Sequence, residues 1–98
     1  MKEIELTPRA IEDLETIWFY SYEQFGPATA EEYIEKISAV FGVLTEHQIG
    51  THRPELGNDM HSLPVEKHVI FFVPSQTVIT VIRILSQAQD VLRHSPWR

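Results

Sequence analysis

The chain reads as an α+β domain of order β-α-α-β-β-β, a helical hairpin packed on a small, largely antiparallel sheet. Three observations carry that reading. Two segments of the first half repeat apolar residues at helical spacing and are divided by Gly26-Pro27. Two runs of the second half, "HVIFFV" and "VITVIRIL", are continuous β-branched and aromatic sequence of the kind found in covered strands. Between the halves, "QIGTHRPELGND" has two glycines, one proline and no periodicity, and reads as loop.

Taken in order, "KEIEL" alternates Lys2, Ile4 and Leu6 loosely enough for a short first strand. Thr7 is placed to cap the following helix, with Pro8 at its first position, where a missing N–H costs nothing. Ile11, Leu14, Ile17, Trp18, Tyr22 and Phe25 recur as its apolar stripe, and Glu12, Asp13 and Glu15 are expected to face water near the favourable end of the dipole. Gly26 ends this helix and Pro27 opens the next, with Thr29 and Glu32 spaced as a capping box that offers a second start. Tyr33, Ile34, Ile37, Val40, Phe41 and Leu44 form the second stripe, and Glu32 and Lys36 are spaced for an i,i+4 pair. After the loop, "MHSLPV" contains Pro64, which suits an edge strand. "PSQT" joins the last two strands as a tight turn with Pro74 fixing φ. The tail "AQDVLRHSPWR" has room for one more helical turn before Pro96.

Ninety-eight residues make one domain, 1–98, with a small core that a covering partner would support. There is no cysteine, which removes disulfides, thiolate metal sites and thiol catalysis. The charged start "MKEIELTPRA" lacks the apolar region of a secretory signal, and no run is long enough to span a bilayer, so a cytoplasmic location is expected. Formal net charge is −6, and it is unevenly placed: residues 1–50 hold three Lys/Arg against ten Asp/Glu, residues 51–98 five against four. That balance opposes direct binding to nucleic acid, where phosphate contacts supply the affinity, and favours a basic protein partner.

The element order, with particular residues at particular places, resembles the RelE/ParE superfamily of bacterial toxins from type II toxin–antitoxin pairs, and the resemblance covers nearly the whole chain. "LTPRAIEDLETIWFYSYEQFG" resembles a ParE-type first helix, with an acidic-leucine centre and a Trp-x-Tyr end. "HSLPVEKHVIFF" followed by "VIRILSQAQD" is similar to the ParE signature of an Arg-Ser-[Phe/Leu]-Pro turn, His-Val-Ile-Phe-Tyr, Val-Ile-Arg-Ile-Leu-His and a later Met-Asp. Against that pattern His61 stands for arginine, Phe72 for tyrosine, Ser86 for histidine and Gln89 for methionine, while Asp90 is retained. The resemblance implies a cognate antitoxin as partner in a hetero-oligomer, and DNA gyrase as the target, inhibited by binding. The mRNA-cleaving branch uses an acid–base residue near the end of the last strand, and Ser86 is not one without an activating partner. A ribosome-dependent mRNA endonuclease relying on Arg83, His61 and His94 is the rival, and a non-toxic, antitoxin-binding member is the third reading.

No catalytic set is therefore assigned, and no cofactor. Arg83 in an apolar strand either contacts phosphate or a partner on the sheet face opposite the helices, or pairs with a carboxylate such as Asp90 or an acid of the hairpin; the second is favoured because a desolvated guanidinium needs a partner. His52, His61, His68 and His94 lack ligand spacing, so no metal is expected. Trp18, Phe19, Tyr20 and Tyr22 exceed what one helix face can bury, so Phe19 or Tyr20 is expected outside the core. The expected partner surface comprises Trp18, Tyr22, His61, Leu63, Phe72, Arg83, Asp90 and Trp97, which combines the aromatic end of the first helix, the edge strand near His61–Leu63 and the sheet around Arg83.

Overall fold

The computed structural model describes residues 1–87. Asp90, His94 and Trp97 lie outside the described residues. Strand β1 (Glu3–Leu6) leads into helices α1 (Pro8–Phe25) and α2 (Pro27–Glu46), then strands β2 (Thr51–His52), β3 (His61–Val65), β4 (His68–Pro74) and β5 (Val78–Ser86). The five strands lie in the order β1-β5-β4-β3-β2, with β1 parallel to β5 and every other pair antiparallel. The expected architecture is present, with a short strand and a 3₁₀ turn more than the sequence announced. Within the segment read as loop, Thr51 and His52 pair with Ser62 and His61, and Pro54–Leu56 forms a 3₁₀ turn.

Local chemistry accounts for the ends. The Thr7 hydroxyl oxygen accepts from Ala10 N–H at 3.1 Å, capping α1 as expected. Gly26, at φ 93°, closes α1 and opens α2. Because α2 starts at Pro27, the Thr29–Glu32 box is not its start. Lys36 reaches Glu66 on the neighbouring turn at 3.7 Å instead of the expected Glu32, because that turn comes up beside α2. In the β4–β5 turn the Ser75 hydroxyl oxygen accepts from Val78 N–H at 3.0 Å.

The main core lies between the helices and the sheet: Ala10, Ile17, Ile37, Leu44, Ile70, Phe72, Val81 and Ile84 among others. The other sheet face carries a smaller cluster around Met60, Phe71 and Leu85. The α2 stripe packs as read. The α1 stripe packs only in part: Leu14 and Ile17 join the core with Ala10 and Ser21, whereas Ile11, Tyr22 and Phe25 are exposed. Small residues on the inward line let α1 approach the sheet and α2 closely, which turns the larger side chains out. Among the described residues no helix is long and apolar enough to cross a membrane.

Candidate functional site

The site is set by a mismatch in strand length. β1 pairs with Val78–Val81 only, so the rest of β5 has no strand on that side. Exposed edge groups of this kind need partners, and α1 supplies them. The Thr7 hydroxyl donates to Ile82 C=O at 2.8 Å, and Asp13 Oδ2 accepts from Ile84 N–H at 2.9 Å. A register shift between Phe71 and Phe72 falls at the same level, so that Phe71 faces Arg83 and Phe72 faces Val81.

Arg83 reaches Asp13 there. Its Nε donates to Asp13 Oδ2 at 2.8 Å and its Nη2 to Oδ1 at 2.9 Å, a two-pronged ion pair with the side chains 14% and 13% exposed. The hydrogen bonds to Asp13 raise the Arg83 pKa against the opposing effect of burial. Arg83 thus pairs with an acid of the helical hairpin, the favoured of the two expectations. Asp13, expected to face water, is the acid it finds, since the inward line of α1 runs Ala10, Asp13, Ile17, Ser21.

Beside this pair runs a groove of about 660 Å³. Ile17 and Tyr20 of α1 form one wall, Ile84, Ser86 and Gln87 another, and the Glu66–Lys67 turn with His68 closes the end. The turn is tied down twice. Gln87 N–H donates to Lys67 C=O at 2.9 Å, and Lys67 N–H donates to the Tyr33 oxygen at 3.1 Å. The same oxygen is hydrogen-bonded to His68 Nδ1, 2.6 Å away, with the donor set by the tautomer of the ring. Desolvation lowers the His68 pKa, while Asp13 pulls weakly the other way. Desolvation also raises the Tyr33 pKa. Burial thus favours the neutral form of His68, whose Nδ1 is tied to Tyr33 and whose cross-strand neighbour is Ser86. The groove presents apolar walls with internally matched polar groups.

The remaining predicted contacts separate. Trp18 is half-buried, stacked on Tyr22 at 5.1 Å and edge-on to Phe19 at 5.4 Å. Phe19 and Tyr20, of which one was expected outside the core, are both outside, 59% and 64% exposed. His61 lies at the other end of the sheet, its ring between His52 at 5.0 Å and Phe72 at 5.6 Å, with Nδ1 donating to Asp59 C=O at 2.8 Å. Leu63 is half-buried against the main core. Phe72, expected as a contact, is 1% exposed and is a core residue, because β2 folds over it: a Cβ at Gly50 would stand 2.9 Å from its Cζ. Of the predicted contacts among the described residues, Arg83 alone lines the groove; Trp18 and Tyr22 stack on each other elsewhere on α1, and His61 and Leu63 lie apart. Reading the sequence missed Asp13, Tyr33 and the Glu66–Lys67 turn. Asp13 had a signal, as the one acid on an otherwise small and apolar helix line.

Comparisons with known proteins bear on the family and the fold. The family model described as the ParE toxin of the type II toxin–antitoxin system, parDE, matches residues 4–91. The protein named Toxin ParE1 of Mycobacterium tuberculosis (strain H37Rv) is 31% identical over 91 residues, spanning 91% of this chain and 93% of its own. The Toxin ParE1 of Caulobacter vibrioides is 30% identical over 95 residues, spanning 96% and 98%. Among solved structures, the chromosomal ParDE TA system from P. aeruginosa superposes with a TM-score of 0.77 at 20% identity, covering 88% of this chain and 96% of that one. The YoeB–YefM complex from Staphylococcus aureus superposes at 0.58 and 15% identity, covering 89% and 98%. The last two establish likeness of fold alone. By the family match and the two relatives, the chain belongs to the ParE toxins of type II toxin–antitoxin systems.

Proposed function

We propose that this toxin works in the cytoplasm by gripping a protein target, with DNA gyrase as that target, and that a cognate antitoxin silences it by ordering a segment along α1 and the adjoining groove. One observation carries the binding reading. The groups that a nuclease would draw on in the groove are committed to each other, Arg83 to Asp13 and His68 to Tyr33. An arginine neutralised by a buried carboxylate is a poor phosphate clamp, and a histidine whose pKa is lowered by burial is a weaker base. The apolar groove and the exposed aromatic residues of α1 suit an amphipathic helix. Antitoxin partnership is supported by the two solved relatives, whose titles name a ParDE system and a YoeB–YefM complex. The gyrase target rests on family resemblance.

The test is inducible expression of the lone chain. Growth arrest with loss of gyrase supercoiling activity in vitro, both relieved by the antitoxin, is the expected result. Arrest with mRNA cleaved on translating ribosomes, abolished by Arg83→Ala in a folded protein, overturns it in favour of the endonuclease. Normal growth with a stably folded product overturns toxicity and leaves antitoxin binding alone.

A further inference from the structure

We propose that the outward face of α1 is a receptor for arginine or lysine side chains of the antitoxin segment. This rests on the ParE-type reading above and adds the chemistry of the partner. Phe19 and Tyr20 line one shallow depression with Thr16 and the carboxylates of Glu12, Glu15 and Glu23. Glu15 and Glu23 stand one turn before and one turn after Phe19, so the ring is bracketed by acids on its own side of the helix. Arg9, one turn before Glu12, is the one Lys or Arg of α1, and none lies within a turn of Glu15 or Glu23 along the helix.

Two features show that this pattern does not serve the helix itself. Glu23 sits in the last turn of α1, where the helix dipole disfavours a carboxylate, and no basic residue balances it. Four large aromatic side chains within seven residues, Phe19, Tyr20, Tyr22 and Phe25, are left exposed, which is more than scattered surface apolar residues account for. Aromatic faces beside carboxylates suit a guanidinium or ammonium group: the ring attracts the cation, the carboxylates pair with it, and the apolar stem lies on the ring.

The sign of the charge selects among occupants. A second copy of this chain would bring the same acids against these. Nucleic acid and anionic lipid are repelled for the same reason. A cationic, amphipathic protein segment satisfies both the rings and the acids.

The test uses the full chain and its antitoxin, with affinity measured by calorimetry at about 20 and about 300 mM NaCl, either side of the range where surface charge is screened. The triple variant Glu12→Gln, Glu15→Gln, Glu23→Gln should bind about tenfold more weakly at low salt and lose most of the salt dependence. Phe19→Ala should weaken binding at both salt concentrations. All four side chains are exposed, and thermal melts confirm that the variants fold. A triple variant that matches the wild type in affinity and salt dependence overturns this inference while leaving the antitoxin reading intact. Failure of the antitoxin to bind the wild-type chain overturns the reading beneath it. A lone-chain dimer dispersed by Phe19→Ala would place a second copy on this face, which also overturns the inference.

Discussion

Removing the Asp13 carboxylate should be the costliest single change outside the apolar core. That carboxylate accepts three hydrogen bonds, two from Arg83 and one from Ile84 N–H, at 2.8 to 2.9 Å. Asp13→Ala leaves a guanidinium with most of its surface covered and a strand N–H with no acceptor. Breaking one side of a buried pair costs about 3–5 kcal/mol, and the residual exposure of 13–14% argues for the low end, about 3 kcal/mol. At about 4–8 °C per kcal/mol for a domain of this size, the midpoint should fall by roughly 15 °C. Asp13→Asn keeps an acceptor but loses the charge, and should cost about 1–2 kcal/mol. Arg83→Met combined with Asp13→Leu should recover most of the loss, because an apolar pair replaces a desolvated ionic one. Urea denaturation followed by circular dichroism measures all of these, with Glu12→Ala as the exposed control. If Asp13→Ala unfolds at the same urea concentration as Glu12→Ala, the pair does not hold α1 to β5 and the argument fails.

Four further outcomes follow from single residues. Gly50→Ala should destabilise by about 2–3 kcal/mol, since φ of 100° is strained for alanine and its Cβ would meet Phe72 Cζ at 2.9 Å; a thermal melt within a degree of wild type would contradict this. His68 is held neutral by burial, so its folded pKa lies below the ordinary 6.5. Its contribution is therefore present above that value and is lost as pH falls below it, and His68→Asn should flatten the decline in stability between about pH 7.5 and 5.5. Phe72→Ala should cost about 3–5 kcal/mol by opening a cavity. Tyr22→Ala should cost under about 1 kcal/mol and weaken antitoxin binding instead, so chemical denaturation beside calorimetry separates core from surface.

The helices and the two long strands were legible because each spans several repeats of its own period. β2 was not, as two residues cannot display alternation; it forms because Gly50 permits a close approach to Phe72 and because Arg53 fastens the loop, its N–H to Met60 C=O at 2.7 Å and its Nη1 to Ser62 Oγ at 3.2 Å. The α1 stripe was right at Leu14 and Ile17 and wrong at Ile11, Tyr22 and Phe25, because large residues were weighted over small ones when the close crossing needed Ala10 and Ser21. Arg83 was legible as a problem, a cation in an apolar strand. Its answer was visible only to a reader who placed Asp13 at the three-and-four spacing between Ala10 and Ile17 and asked which cation that acid would meet. The His68–Tyr33 contact joins residues thirty-five apart and left no local trace.

The same edge accounting revises where a partner strand can add. The sequence suggested His61–Leu63, but His61 and Ser62 are already paired with β2. Leu63–Val65 and the two-residue outer side of β2 stay open there, the first interrupted by Pro64, which has no N–H to give, and the second too short for a ladder. On the other flank, the length of β5 beyond β1 is occupied by Thr7 and Asp13. That leaves the outer side of β1, four residues long, where α2 meets the backbone just before the strand through Lys2 N–H and Thr45 C=O. Its exposed side chains are Glu3 and Glu5, which discourage pairing with another copy of the same acidic edge. Strand addition at β1 and helix docking on α1 would therefore present a partner with the same sign of charge, and the two surfaces are joined through Thr7. A segment that extends this sheet has to meet carboxylates first, and one without cations to offer them gains nothing from the backbone hydrogen bonds beyond.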